Sequence, residues 1–101
     1  MPERRKYPRY GFQSDVEVVT ASTVTRAFIT DLSLGGIFIV TQAPQPVGRV
    51  FTARVLLDPP LILSCEVRRV LPGKGMGAIF TELSEADHIR LEKLLAWLAS
   101  G

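Results

Sequence analysis

The chain has 101 residues, 47% of them apolar, and a formal net charge of +2. This length corresponds to one domain and this apolar content to a folded core, which excludes a chain that is disordered throughout. Its apolar runs are too short to span a bilayer, and the single cysteine, Cys65, has no internal disulfide partner. Because the N-terminus lacks a signal-peptide pattern, we expect a cytoplasmic protein without membrane insertion.

Positive charge is concentrated in an N-terminal arm. Residues 1–9 contain four basic side chains and one acidic side chain, whereas the rest of the chain contains eight basic and nine acidic ones. Such an arm attracts phosphate groups, although a solvated terminus without a ligand is the alternative explanation. No basic stripe continues through the body of the chain, so we do not expect nucleic-acid binding.

The middle of the chain has the pattern of consecutive strands. Residues 15–20 alternate between polar and apolar, which is typical of a half-buried strand. Segments rich in β-branched and aromatic residues, separated by turns containing glycine or proline, predict five more strands at 24–32, 37–41, 50–57, 61–71 and 76–80. Because no helical segments separate them, these strands predict an antiparallel barrel or closely packed sheets.

The C-terminal segment changes to a helical period. Ser84 suits an N-cap, and four leucines at helical spacing form one apolar stripe: Leu91, Leu94, Leu95 and Leu98. We expect Ile89 and Trp97 to widen this face and the helix to cover one side of the barrel. A partner-binding helix is the alternative, in which an exposed Trp97 would mark the interface. The predicted organisation is a single domain with an arm at 1–10, a barrel at 11–82 and a helix at 84–99.

The first cluster of chemical interest lies in the arm, where Arg5 and Arg9 flank Tyr7 and Pro8. Proline fixes its own backbone angle and favours an extended conformation for Tyr7, so this segment is not helical. An extended arm can bring both guanidinium groups onto one ligand. Arginine binds phosphate in a bidentate manner and pairs with the O6 and N7 edge of guanine.

The second cluster is the segment 31–36, between two predicted strands. The Asp31 carboxylate can accept hydrogen bonds from guanine N1–H and its exocyclic amine, and Ser33 adds a hydroxyl donor. Gly35 and Gly36 allow the chain to adopt positive φ and let a ligand approach the backbone closely. The alternative is a simple turn in which Asp31 and Ser33 bond only the local backbone.

Catalysis and metal binding are not expected. His88 is the only histidine, and its position three residues before Leu91 predicts a histidine at the edge of the apolar stripe. This leaves no general base to activate Ser33 or Cys65. One cysteine and one histidine are also too few for a zinc or iron site.

The two clusters together resemble the PilZ domain family, whose pattern is an R-x-x-x-R arm followed by a D/N-x-S-x-x-G turn. Every motif position is matched here, and segments 37–41 and 75–80 are also similar to the family, so the resemblance covers almost the whole chain. It implies a six-stranded antiparallel β-barrel with a C-terminal helix. It also implies a non-enzymatic receptor for the bacterial second messenger cyclic di-GMP.

The resemblance implies a set of nucleotide-binding residues, namely Arg4, Arg5, Arg9, Asp31, Ser33, Gly35 and Gly36. Within this set the arginines of the motif would contact phosphates and guanine, and Asp31 and Ser33 would recognise a guanine. Arg4, just before the motif, would favour a stacked pair of nucleotides over a single one. Where relatives often carry an aromatic residue near 67–70, this chain has Arg69, whose guanidinium can also stack on a base.

The expected mechanism is an order–disorder step in which the arm folds over the nucleotide and changes the surface seen by an effector protein. The effector is not identified by the sequence, and the family resemblance implies motility or surface-polysaccharide regulation. The alternative is a PilZ-like adaptor that acts through protein contacts without the nucleotide. Such relatives usually lack part of the motif, and this chain lacks none of it.

Overall fold

The computed structural model describes residues 7–100, and these form six strands and one helix. The elements are β1 (Tyr10–Val19), β2 (Val24–Leu32), β3 (Gly36–Val40), β4 (Val50–Val55), β5 (Leu61–Leu71), β6 (Gly75–Glu82) and α1 (Glu85–Ser100). The strands close into a barrel in the order β1-β2-β3-β6-β5-β4, and every neighbouring pair is antiparallel. The predicted six-stranded antiparallel barrel with a C-terminal helix is confirmed.

The core lies inside the barrel because strand residues alternate between its interior and its surface. In β4, for example, Phe51, Ala53 and Val55 are buried while Val50 and Arg54 are exposed. The interior is filled mainly by branched aliphatic side chains, including Ile29, Ile37, Ile39, Leu61 and Leu63. Closing the barrel pairs every strand on both sides, so the described chain has no unpaired sheet edge.

Several strand boundaries differ from the sequence expectation, and for two of them the structure shows the cause. β1 begins at Tyr10 rather than at residue 15, because its first residues pair with the end of β2 and a register irregularity follows between Gly11 and Ser14. That irregularity interrupts the alternation on which the prediction rested. β4 ends at Val55 rather than at residue 57, because the chain turns there, with the Leu57 N–H donating to the Val55 carbonyl at 2.8 Å.

Helix α1 packs on the barrel through the predicted leucine stripe. Ser84 is its N-cap, since the Ser84 hydroxyl accepts a hydrogen bond from the Asp87 N–H at 3.1 Å. Leu91 and Leu95 are buried. Arg90 donates to the carbonyl oxygens of Pro59 and Pro60 at 2.6 and 2.8 Å, which attaches the helix to the β4–β5 turn.

The buried face of α1 is narrower than expected. Ile89 and Trp97 are 42% and 68% exposed, so neither extends the packed stripe. The prediction that His88 lies at the edge of the core is wrong, because its side chain is half exposed and Nε2 lies 3.6 Å from a carboxylate oxygen of Glu92. Among residues 7–100, no helix is long and apolar enough to cross a membrane.

Candidate nucleotide-binding site

The turn between β2 and β3 is held together by Ser33. Its hydroxyl oxygen accepts hydrogen bonds from the N–H groups of Gly35 and Gly36 at 3.1 and 3.0 Å, and its own N–H donates to the Gly36 carbonyl at 2.9 Å. The residue is only 6% exposed. Ser33 is therefore engaged with the local backbone, and these bonds hold the turn in one conformation.

Gly35 and Gly36 are required by close packing, not by their backbone angles. Neither glycine uses the positive φ that its missing side chain allows. A Cβ atom on Gly36 would lie 2.5 Å from the backbone oxygen of Ala78 in β6, and one on Gly35 would lie 2.7 Å from the ring of Tyr7. The glycines thus allow β6 on one side and the Tyr7 ring on the other to approach the turn closely.

An ion pair joins the arm to this turn. Arg9 Nη1 lies 3.3 Å from Asp31 Oδ1, and each of the two side chains is 30% exposed. The early start of β1 explains this contact, because its pairs Tyr10–Leu32 and Gly11–Asp31 bring the end of the arm alongside the end of β2. Arg9 and Asp31, which the two sequence clusters contribute, are therefore neighbours in the fold. Arg4 and Arg5, also predicted for this site, lie outside the described residues.

Beside the ion pair is an open cavity of about 470 Å³, within the size range of small-molecule sites. Its walls come from three segments: Tyr7 and Arg9 of the arm, residues 33–36 of the turn, and residues 78–80 of β6. No ligand role was predicted for Leu34 or for β6. An apolar turn residue and a core strand carry no signal of a site, whereas Tyr7, an aromatic residue between two arginines, could have been singled out.

A shelf on the outer barrel surface extends from Asp31 in β2 across β3 and β6 to β5. Asp31 pairs with Phe38, Phe38 with Gly77, and Gly77 with Arg69. A Cβ atom on Gly77 would lie 3.4 Å from Arg69 Cγ and 3.8 Å from Phe38 Cδ1, so both side chains pack over this glycine. We call this the Phe38–Arg69 shelf. It places a guanidinium and an aromatic ring on the same barrel surface as the carboxylate.

A smaller cavity of about 200 Å³ lies between the arm and α1. Tyr7, Pro8, Tyr10 and Leu34 line one side, and four helix residues line the other: Glu92, Leu95, Ala96 and Ala99. Tyr7 and Leu34 line both cavities. These two side chains form the wall between the candidate site and the helix.

The remaining candidate nucleophile lies away from this site. Cys65 is fully buried in the barrel core, and this burial raises the pKa of its thiol to about 12. The thiolate required of a nucleophile is therefore disfavoured. Across residues 7–100 no three side chains of the metal-binding types come together.

Comparison with solved structures shows the same fold in several bacterial proteins. The PilZ domain of YcgR from Escherichia coli, solved with c-di-GMP, has a TM-score of 0.76 at 16% identity, over 97% of this chain and 93% of that one. The PilZ domain of CeSA from a cellulose-synthesizing bacterium has a TM-score of 0.72 at 25% identity, over 91% and 98% of the two chains.

A third similar structure is the Bacillus subtilis inhibitor of motility, MotI/DgrA, with a TM-score of 0.75 at 21% identity. The match covers 92% of this chain and 49% of that protein, so the present chain spans about half of its length. Comparison with curated protein sequences gave no match. The model of the PilZ domain matches residues 3–97, nearly the full length, and the chain therefore belongs to the PilZ domain family.

Proposed function

We propose that this chain is a non-enzymatic receptor for cyclic di-GMP, and that the nucleotide binds in the cavity beside the Arg9–Asp31 ion pair. The observation that carries the proposal is that Arg9 lines an open cavity of about 470 Å³ and that its guanidinium lies 3.3 Å from the Asp31 carboxylate. A guanine dinucleotide needs both groups. Its phosphates require cationic donors, and the N1–H and amino groups of its bases require acceptors.

Arg9 and Asp31 can readily exchange their contact with each other for contacts with a ligand. Both side chains are 30% exposed, and pairs of this kind contribute at most about 1 kcal/mol. The nucleotide therefore separates Arg9 from Asp31 at low cost. Arg9 then turns to a phosphate or a guanine edge, and Asp31 accepts from a guanine.

Ser33 acts on the nucleotide by positioning the turn. Its hydroxyl already bonds the N–H groups of Gly35 and Gly36, so it holds the turn against β6 and keeps the cavity floor in place. Arg4 and Arg5 complete the set, with cations that neutralise the two phosphates from the arm. Arg4 would also favour a stacked pair of nucleotides over a single one.

The Phe38–Arg69 shelf supports a further contact with a base. Arginine and phenylalanine both offer flat surfaces for stacking, and here the two side chains lie next to each other over Gly77. Arg69 thus takes the role that an aromatic residue has in many members of the family. Its neighbour Arg68 is paired with Glu66 at 3.7 Å and serves as a matched control.

The signal passes to an effector protein in the cytoplasm when the nucleotide separates Arg9 from Asp31 and thereby changes how the arm, residues 1–10, meets the barrel, residues 11–82. Support for a role in motility or polysaccharide regulation comes from the relatives, which include an inhibitor of motility from Bacillus subtilis and a PilZ domain from a cellulose-synthesizing bacterium. The effector itself is identified by neither comparison.

Isothermal titration calorimetry with cyclic di-GMP tests the proposal. We expect Arg9→Ala and Asp31→Ala to weaken binding by about 10- to 100-fold, the range for hydrogen bonds to charged groups. Arg26→Ala is the control, because Arg26 pairs with Asp15 at 3.6 Å on another part of the barrel surface. Cyclic di-AMP, which lacks the guanine edge, is expected to give no heat. No heat from the native chain with cyclic di-GMP would favour the adaptor that acts without the nucleotide.

The shelf is tested in the same assay. Arg69→Ala is expected to weaken cyclic di-GMP binding by about three- to fivefold, the range for an exposed cation–π contact. Arg68→Ala is expected to bind like the native chain. Equal effects of the two substitutions would indicate a general loss of positive charge, and would remove Arg69 from the site.

A further inference from the structure

A second large cavity lies where β3 ends and β6 begins. Its volume is about 510 Å³, close to that of the candidate nucleotide cavity. Three segments form its walls: residues 25–28 of β2, residues 40–43 at the end of β3, and residues 73–74 of the turn before β6. We call it the Phe28 cavity. Among the described residues, none that lines it also lines the nucleotide cavity, so the two are separate spaces.

The apolar part of the Phe28 cavity is an exposed aromatic ring. Phe28 is 47% exposed, which is unusual for so large an apolar side chain in a barrel strand. It pairs with Val40 across β2 and β3, so the two side chains are neighbours on the outer barrel surface. An exposed ring beside an open cavity offers a stacking surface to a flat group of a ligand.

Two cations line the same cavity, Arg26 from β2 and Lys74 from the turn before β6. Within residues 7–100, its lining includes no acidic side chain, and Lys74 takes part in none of the ion pairs. Asp15 lies on the β1 side of Phe28 and pairs with Arg26 at 3.6 Å. Both members of that pair are more than 60% exposed, and exposed pairs of this kind are weak. The cavity is therefore complementary to an anion.

Hydrogen bonds hold two of the walls together. The Thr41 N–H donates to the Lys74 carbonyl at 3.3 Å, which joins the segment after β3 to the turn before β6. The Thr41 hydroxyl oxygen accepts from the Ala43 N–H at 3.1 Å. A hydroxyl that accepts one bond still has its own proton to donate, so Thr41 adds a neutral donor beside the two cations.

We propose that the Phe28 cavity is a second ligand site, for a small molecule in which a flat ring carries a phosphate or a carboxylate. The ring stacks on Phe28, and the anionic group is bound by Arg26 and Lys74, whose long side chains are both exposed. The cavity volume of about 510 Å³ is within the range of small-molecule sites. Because the two cavities share no lining residue, this ligand and the nucleotide can be bound at the same time.

Amide NMR titration of the native chain with phenyl phosphate tests the site. We expect shift changes at residues 25–28, 40–43 and 73–74, with a dissociation constant of about 1 mM, which is usual for a ligand of about ten non-hydrogen atoms. Benzyl alcohol lacks the charge and is expected to bind at least about tenfold more weakly. Inorganic phosphate lacks the ring and is expected to bind about two- to tenfold more weakly. Benzoate, in a parallel titration, shows whether a carboxylate replaces the phosphate.

Substitutions assign the binding to the two kinds of group. Phe28→Leu keeps an apolar side chain without the ring and is expected to weaken phenyl phosphate binding about two- to tenfold, whereas Phe28→Tyr keeps the ring and is expected to bind like the native chain. Lys74→Ala is expected to weaken binding about tenfold. Lys93→Ala is the matched control, because it removes the same charge from an exposed position on α1. Thermal melting is used to check that each variant folds.

Several results would overturn the proposal. They are shift changes confined to residues 33–36 and 78–80, which line the nucleotide cavity, equal effects of Lys74→Ala and Lys93→Ala, Phe28→Leu that binds like the native chain, and no binding at about 10 mM phenyl phosphate. Calorimetry with cyclic di-GMP is expected to give the native affinity for Lys74→Ala, since Lys74 does not line the nucleotide cavity. Failure of this second site is therefore distinguishable from failure of the nucleotide site.

Discussion

Replacing Gly36 with alanine separates a role of this glycine in the fold from a role in ligand approach. The added Cβ would lie 2.5 Å from the backbone oxygen of Ala78, a distance at which one of the two strands has to move. The obstacle is backbone, so no side-chain rotation relieves it. Gly36 pairs with Ile79 in the β3–β6 ladder, and the displacement therefore strains that ladder.

The loss of stability expected for Gly36→Ala can be estimated. Extra methyl groups in well-packed regions cost typically 1–3 kcal/mol, and a backbone obstacle belongs in the upper half of that range. A loss of about 2 kcal/mol lowers the melting temperature of a domain of this size by about 8–16 °C. The Ser33 bonds to this turn are also disturbed, which adds to the effect and reduces nucleotide affinity indirectly.

The assay is thermal melting followed by circular dichroism, with Gly35→Ala as the matched control. There the nearest atom, 2.7 Å from the added Cβ, belongs to the Tyr7 ring, so the obstacle is a side chain and not backbone. We expect a loss below about 1 kcal/mol for Gly35→Ala. A Gly36→Ala chain that melts at the native temperature but no longer binds cyclic di-GMP would refute this reasoning and would assign Gly36 to the ligand.

Three further predictions concern other contacts. Ser33→Ala removes the acceptor of two N–H groups in a nearly buried turn, and is expected to lower the free energy of unfolding by about 1–3 kcal/mol; unchanged urea denaturation would contradict it. Arg90→Ala detaches α1 from the Pro59–Pro60 turn, and faster hydrogen exchange in the helix is expected, with exchange in the barrel core unchanged. Burial raises the pKa of the Cys65 thiol from 9.0 to about 12. As the pH rises, this thiol therefore ionises in the unfolded chain before it ionises in the folded one. The stability contributed by the protonated thiol is therefore complete below pH 9.0 and lost between pH 9.0 and about 12. Between these pH values, urea denaturation is expected to show that the free energy of unfolding falls more steeply with pH for the native chain than for Cys65→Ala. Equal slopes for the two chains would contradict this prediction.

Much of the barrel could be predicted because its strands carry local signals. Segments rich in β-branched residues, with glycine and proline between them, marked β2 to β6, and the leucine spacing marked α1. The start of β1 was missed because its register shifts between Gly11 and Ser14, and periodicity cannot follow such an irregularity.

The candidate site was predictable in part. Arg9 and Asp31 could each be predicted as a contact of the nucleotide from its chemistry, and the fold brings their side chains to 3.3 Å. The packing that requires glycine at 35 and 36 could not be derived from the sequence. It involves the backbone of β6 and the ring of Tyr7, which are both far from these glycines along the chain. His88 was misplaced because a helical position three residues from a buried leucine does not by itself determine burial.

The wall formed by Tyr7 and Leu34 has a mechanical consequence. These side chains separate a cavity of about 470 Å³ on the nucleotide side from one of about 200 Å³ on the helix side. Because both cavities share these side chains, a displacement of Tyr7 or Leu34 that enlarges one cavity reduces the other. A ligand that moves either side chain on the nucleotide side therefore changes the contacts of Leu95 and Ala96 on the helix side.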